Sequence, residues 1–157
     1  MGILRTEREY ELTRERLIAM RGASERQRAT LREAGFPPDH IELAVQPLLV
    51  MQDQMKGELQ WYDRARRGEI LPLSDLKQIG YSLIALRLAK GLTQRQLAER
   101  LGINEAQVSK DEKNEYAGIS CERAQRVIDA MGGSITVTVS PEAPAPEEWQ
   151  LVEAPAR

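Results

Sequence analysis

Between positions 104 and 113 the chain sets Asn104, Glu105, Ala106, Ser109, Lys110 and Lys113 at the spacing of one helical face. An amide, a carboxylate, a methyl, a hydroxyl and two ammonium groups can donate and accept hydrogen bonds without making or breaking a covalent bond. Glu105 can accept from a cytosine amino group, Ala106 can touch a thymine methyl, and Lys110 can donate to guanine acceptors or a phosphate. Ten residues upstream, Thr93, Gln94 and Arg95 sit where a helix begins, and an amino end offers unpaired main-chain amides to an anion. The chemistry suggested is recognition of a patterned, negatively charged surface. Catalysis lacks its ingredients. His40 is the single histidine and follows Pro37-Pro38-Asp39 at a helix start, and Cys121 is the single cysteine. No glycine-rich phosphate loop, metal-ligand spacing or nucleophile motif occurs, so neither a catalytic residue, a cofactor nor a metal site is expected.

Two short helices must position these groups. Thr93 with Gln96 forms a capping box, and Asn104 with Gln107 repeats the arrangement eleven residues on. Gly102 follows Leu101, where a sharp helix end calls for a residue free to adopt positive φ. Leu97, Ala98, Leu101, Ile103 and Val108 supply an apolar side, with Ala98 small where the second helix crosses. The spacing predicts a helix-turn-helix whose second helix, residues 104–113, shows a polar face of a size that enters the major groove.

Residues about 80–132 resemble the Xre/Cro family of helix-turn-helix DNA-binding regulators, which share the lambda-repressor-like fold of four or five helices. LTQRQLAERLGI is similar to that family's second helix and turn, and ISCERAQRVIDAMG to its last helix. Asp111 departs from the pattern, standing where most members place an apolar residue. The resemblance implies double-stranded DNA as a partner; a homodimer is expected because the Pro47–Arg67 seam and the Ile135–Val139 run lack covering surface within the chain. Such proteins commonly repress promoters, their own included, in prophage, restriction or toxin-antitoxin settings.

Composition sets outer bounds. The 157 residues are 41% hydrophobic and 29% charged, with one Phe and a net charge of −2. No apolar run approaches the roughly 18 residues of a membrane span and no signal-peptide pattern opens the chain, so the cytoplasm is the expected compartment. A lone cysteine fits a reducing environment. Residues 80–133 hold eight Lys/Arg against seven Asp/Glu. DNA binding then depends on where Arg95, Lys110 and Lys113 stand, and a second copy would double the contacts.

The remainder reads as all-α with appendages. Residues 1–72 form a helical N-terminal region for oligomerisation or partner binding. Its first helix carries Leu12, Arg16, Ala19 and Ala23 along one side and stops at the Gly35-Phe36-Pro37-Pro38 stretch. A second helical run breaks at Gln46-Pro47, with Pro47 opening a fresh helix. Leu48, Met51, Gln52, Met55, Leu59, Tyr62 and Arg66 then make a narrow, coiled-coil-like seam. This region is either a hairpin packed on its own chain or a pairing surface for a second copy or a partner protein. Residues 73–133 are the DNA-binding domain. Ser74 caps its first helix, residues 75–90, whose core face is Leu76, Ile79, Leu83, Leu86 and Leu88. Ser120 caps its last, which closes the core with Val127, Ile128 and Met131. Residues 134–140 have the β-branched alternation of one short strand, which either pairs with its copy in a second subunit or lies against the helices as a tail. Residues 141–157, rich in Pro and Glu, read as a disordered tail in which Trp149, Leu151 and Val152 stand out.

Two functions compete on these grounds. One is a sequence-specific DNA-binding regulator, repressing as a homodimer. The other is an antitoxin-like interaction protein that holds a toxin or other partner through its N-terminal helices or its tail and binds DNA for autoregulation.

Overall fold

The computed structural model describes residues 2–73, 75–139 and 141. Its elements in chain order are α1 (Glu7–Glu33), α2 (Pro38–Arg66), a 3₁₀ turn at Leu76–Gln78, α3 (Ile79–Ala89), α4 (Gln94–Leu101), α5 (Glu105–Lys113) and α6 (Cys121–Ala130). All regular structure among the described residues is helical, and the chain divides into two compact units, Met1–Arg64 and Ala65–Arg157.

In the first unit, Thr6 caps α1 by accepting from the Glu9 amide. Thr13, Leu17 and Ser24 are buried and Tyr10, Met20 and Leu31 half-buried, a run of three- and four-residue steps that keeps one stripe facing one neighbour. On α2 the matching stripe is Ile41, Val45, Gln52 and Tyr62, with Met55 and Leu59 half-buried between them. The two stripes meet in antiparallel order. Tyr10 and Tyr62 hold their ring centroids 4.9 Å apart, and Gln52 Nε2 donates to Ser24 Oγ at 3.0 Å. Farther along, Arg28 grips Glu42 with two hydrogen bonds of 3.0 and 2.9 Å.

Three expectations for this unit are corrected. The seam beginning at Leu48 is covered by α1 of the same chain, and Met51, expected in it, is 47% exposed. The side of α1 that packs is offset from the Leu12 line, since Leu12 is 43% exposed while its neighbour Thr13 is buried. A heavy load of arginine and glutamate blurs the apolar period there, so a one-residue error in register is easily made. Finally, α2 runs unbroken through Pro47. Proline removes one intrahelical donor and crowds the preceding turn. Here Gln27 Nε2 donates to the Ala44 carbonyl at 3.3 Å in that turn, and Val45 and Gln52 anchor the helix on either side.

In the second unit, Asp75 caps the 3₁₀ turn by accepting from the Lys77 amide at 2.9 Å, and α3 proper starts at Ile79. The expected cap Ser74 lies outside the described residues. Leu76, expected in the core, is 63% exposed, because the short 3₁₀ turn lacks the period that would carry it inward. The core is drawn from Leu83, Ile84, Leu88, Leu97, Ala98, Val108, Ala124, Val127, Ile128 and Met131. Helix α4 packs on both α5 and α6, and α6 also packs on α3.

Residues 134–139 carry no regular structure, so the expected strand forms no ladder within the chain. A strand requires a neighbour for its backbone groups, and the helical unit supplies none. The expected disordered tail, with Trp149, Leu151 and Val152, lies outside the described residues apart from Pro141. No helix among the described residues is long and apolar enough to cross a membrane.

Candidate nucleic-acid interface

The helix-turn-helix is fixed by its ends. Thr93 Oγ1 accepts from the Gln96 amide at 3.1 Å and Gln96 Oε1 accepts from the Thr93 amide at 2.8 Å, completing the capping box. Gly102 terminates α4 at φ 67°, ψ 30°, and Ile103 N–H closes the turn onto the Ala98 carbonyl at 3.0 Å. A residue with a Cβ is strained in that left-handed conformation, so Gly102 is what lets α5 start immediately. Asn104 Oδ1 accepts from the Gln107 amide at 2.8 Å and caps α5. The second box stays half made, because Gln107 turns its own side chain to Asp111, donating at 2.8 Å. Ile103, assigned to the apolar side, is 38% exposed at the rim of the turn.

Beneath α5 lies a charged pair that the residue pattern did not announce. Glu112 is fully buried, and Arg87 of α3 meets it in a fork, with Nε and Nη2 donating to its two oxygens at 2.5 and 2.7 Å. Arg87 Nη1 also donates to the Leu92 carbonyl at 2.7 Å, and Gln94 Nε2 donates to Glu112 at 2.8 Å. One carboxylate thus joins α3, the start of α4 and α5. Its satisfied lone pairs offset the cost of taking the charge out of water. Two signals were present in the sequence: Arg87 interrupts the apolar run SLIALRLA, and Glu112 stands four residues after Val108 on the inward face.

Asp111 has a partner of its own. It pairs with Arg123 of α6 while accepting from Gln107, and its side chain is only 15% exposed. The polar residue at a usually apolar position therefore ties α5 to α6 through charge. After α5 the chain turns through Glu115 and Tyr116, at φ 53° and 52°, a left-handed pair without glycine. Gly80 makes that turn fit: a Cβ on it would lie 1.8 Å from the Glu115 carbonyl oxygen. A hydrogen bond to Glu115, together with burial, raises the pKa of Tyr81, and burial raises that of the Tyr116 phenol, with the Glu112 charge adding to it.

The expected contact residues fall into two groups. Thr93, Asn104 and Gln107 hold caps or neighbours, Gln94 is tethered to Glu112, and Arg95 pairs with Glu99 at 3.0 Å on an exposed surface. Glu105, Ala106, Ser109, Lys110 and Lys113 are exposed, and among the described residues the side chains of Glu105, Ser109, Lys110 and Lys113 have no hydrogen-bond or ion-pair partner. Such a face on a helix braced from behind can hydrogen-bond an outside surface with little rearrangement. Among the described residues no cluster of His, Cys, Asp and Glu could hold a metal.

Residues 83–137 match the protein-family model described as Helix-turn-helix. Comparison with curated proteins found no match, and neither did comparison with solved structures. The matched span covers α4, the Gly102 turn and α5, together with α6 and most of α3, which make up the bracing. Residues 83–137 are accordingly a helix-turn-helix of the Xre, lambda-repressor-like type, the kind of domain with which that family's transcription regulators bind DNA.

Proposed function

We propose that the protein is a sequence-specific transcriptional repressor that acts as a homodimer, with α5 of each copy in the major groove of double-stranded DNA. The observation that carries the reading is the uncommitted face of Glu105, Ala106, Ser109, Lys110 and Lys113 on a helix whose other side is fixed by Val108, Asp111 and Glu112. Glu105 and Ala106, in the first turn of α5, read base edges, and Ser109 and Lys110 follow one turn later. Asn104 keeps its amide N–H groups for a contact beside its capping role. At the start of α4, Thr93, Gln94 and Arg95 meet the phosphate backbone. Gln94 spends one amide N–H on Glu112 and has a second to donate, so the buried carboxylate orients a phosphate ligand as well as the helix. Gln107 positions α5 through Asp111. Two copies on a symmetric operator make good the sparse positive charge of one domain, with recognition helices about one turn of DNA apart.

Selection from a random duplex library at low salt tests this. A symmetric motif should emerge, and Glu105→Ala should relax preference at one base pair by about 1–3 kcal/mol. Lys113→Ala should weaken binding to all sequences alike and lower the salt slope by about one phosphate. A library that yields no motif, with Glu105→Ala binding as its parent does, refutes the reading.

The antitoxin-like alternative has one observation behind it. Leu43 and Val50 of α2, seven residues apart on the side away from the α1 seam, are 74% and 57% exposed. A toxin or other protein bound there would make DNA binding autoregulatory.

A further inference from the structure

Residues 134–140 read Ser-Ile-Thr-Val-Thr-Val-Ser, which is the same in both directions about Val137 except that Ile135 answers Val139. As an extended strand the run would set Ile135, Val137 and Val139 on one face and Thr136 and Thr138 on the other. In the single chain the apolar three are exposed by 41%, 60% and 88%. No backbone hydrogen bond joins residues 134–139 to any other described residue. The run carries no charge, and proteins that leave a strand edge bare normally guard it with charge or a bulge. Its starting point is fixed. Gly133 N–H donates to the Ile128 carbonyl at 3.0 Å, Lys90 Nζ donates to the Gly132 carbonyl at 3.1 Å, and Gly133 packs so near Leu86 that a Cβ on it would lie 2.6 Å from the leucine's Cδ2.

We propose that residues 134–140 pair antiparallel with the same run of a second copy, about a two-fold axis at Val137. A two-fold interface requires a surface complementary to itself, and a palindromic run meets that requirement residue by residue. Thr136 then stands opposite the second copy's Thr138, a favourable cross-strand pair, and Ile135 opposite its Val139. Val137 stands opposite itself. No like charges face each other, and the backbone groups that the helical unit leaves unpaired find partners. The inference rests on the homodimer reading and names its interface. Because the run leaves the core at a fixed point behind α6, the pairing also sets the distance between the two copies of α5, and with it the spacing of the half-sites.

Disulfide trapping in the full chain tests it. In a Cys121→Ser background, which removes the exposed native thiol, Val137→Cys should oxidise mostly to a covalent dimer, since directly opposed antiparallel residues lie within disulfide reach. Thr136→Cys alone should stay uncrosslinked, and a mixture of Thr136→Cys and Thr138→Cys chains should crosslink. Replacing both Thr136 and Val137 by proline removes a ladder donor in either hydrogen-bonding phase and should give the mass of one chain by light scattering. A parent chain that scatters as a dimer, with Val137→Cys uncrosslinked and the proline variant still dimeric, overturns this interface and leaves the homodimer standing. A parent chain that scatters as a monomer at micromolar concentration overturns both.

Discussion

Replacing Glu112 by alanine tests how the recognition helix is held. The carboxylate is fully buried and its Arg87 partner nearly so, with side-chain exposures of 0% and 3%. The change removes both Arg87 bonds to the carboxylate and the Gln94 bond, and it leaves a guanidinium in the interior facing a cavity. Breaking a buried pair by deleting one partner costs about 3–5 kcal/mol, because the remaining charge stays desolvated. Small domains have only about 5–15 kcal/mol in all, so the variant should lose roughly a fifth or more of its stability. The double variant Arg87→Met/Glu112→Leu removes both charges and fills the space. It should fall within about 1–2 kcal/mol of the parent, on either side, since such replacements are often neutral or stabilising. Urea unfolding followed by circular dichroism, fitted as a two-state transition with the slope held common, gives both numbers. If Glu112→Ala cost under about 1 kcal/mol, or the double change cost the sum of the singles, the pair would not be the brace described here. The double variant also separates stability from recognition: folded but without the Gln94 tether, it should bind DNA more weakly than its parent.

Leu97→Ala should cost about 2–5 kcal/mol in the same assay, since Leu97 is 1% exposed between α4 and α5; an unchanged midpoint would refute that packing. Gly80→Ala should cost at least about 1–3 kcal/mol, because the new methyl meets the Glu115 backbone and the left-handed turn must move. A crystal structure of that variant with residues 114–116 unshifted would contradict the argument. The Tyr116 phenol, raised by burial above the ordinary tyrosine value of 10.0, contributes stability that is whole below pH 10 and is lost as pH climbs through the folded value. Ultraviolet titration should show one tyrosine ionising last, and Tyr116→Phe should abolish that late step.

What could be read in advance followed from local chemistry. The Thr93 box, the Asn104 cap, the Gly102 stop and the Ser120 cap are each decided within four residues, and all formed where the pattern put them. Core positions on α4 and α6 were legible for a related reason, because an amphipathic period survives wherever the polar side is plainly polar. Decisions made at long range were not legible. Glu112 counts as a solvated charge until Arg87, 25 residues away, is known to meet it. Asp111 looks like a misfit until Arg123 is placed beside it. Pro47 signals a helix start, and only packing on both sides keeps α2 continuous across it. Of the candidate contact residues, pattern alone could not say which were already occupied. The caps and tethers of Thr93, Gln94, Gln107 and, in part, Asn104 became visible only with their partners.

The hydrogen bond between Gln52 and Ser24 has a consequence for how faithfully the hairpin aligns. An apolar seam with a seven-residue repeat tolerates a slip by one repeat, since leucine-like groups re-pack with little loss. Gln52 does not tolerate it: displaced by seven residues, its buried amide would lose Ser24 and the Met20 carbonyl together and sit unsatisfied among methyl groups. The pair thus acts as a key that admits one alignment of α1 on α2, at some expense in stability. Gln52→Leu should make the hairpin harder to melt yet less exact, populating shifted alignments and exchanged helices that the glutamine now forbids.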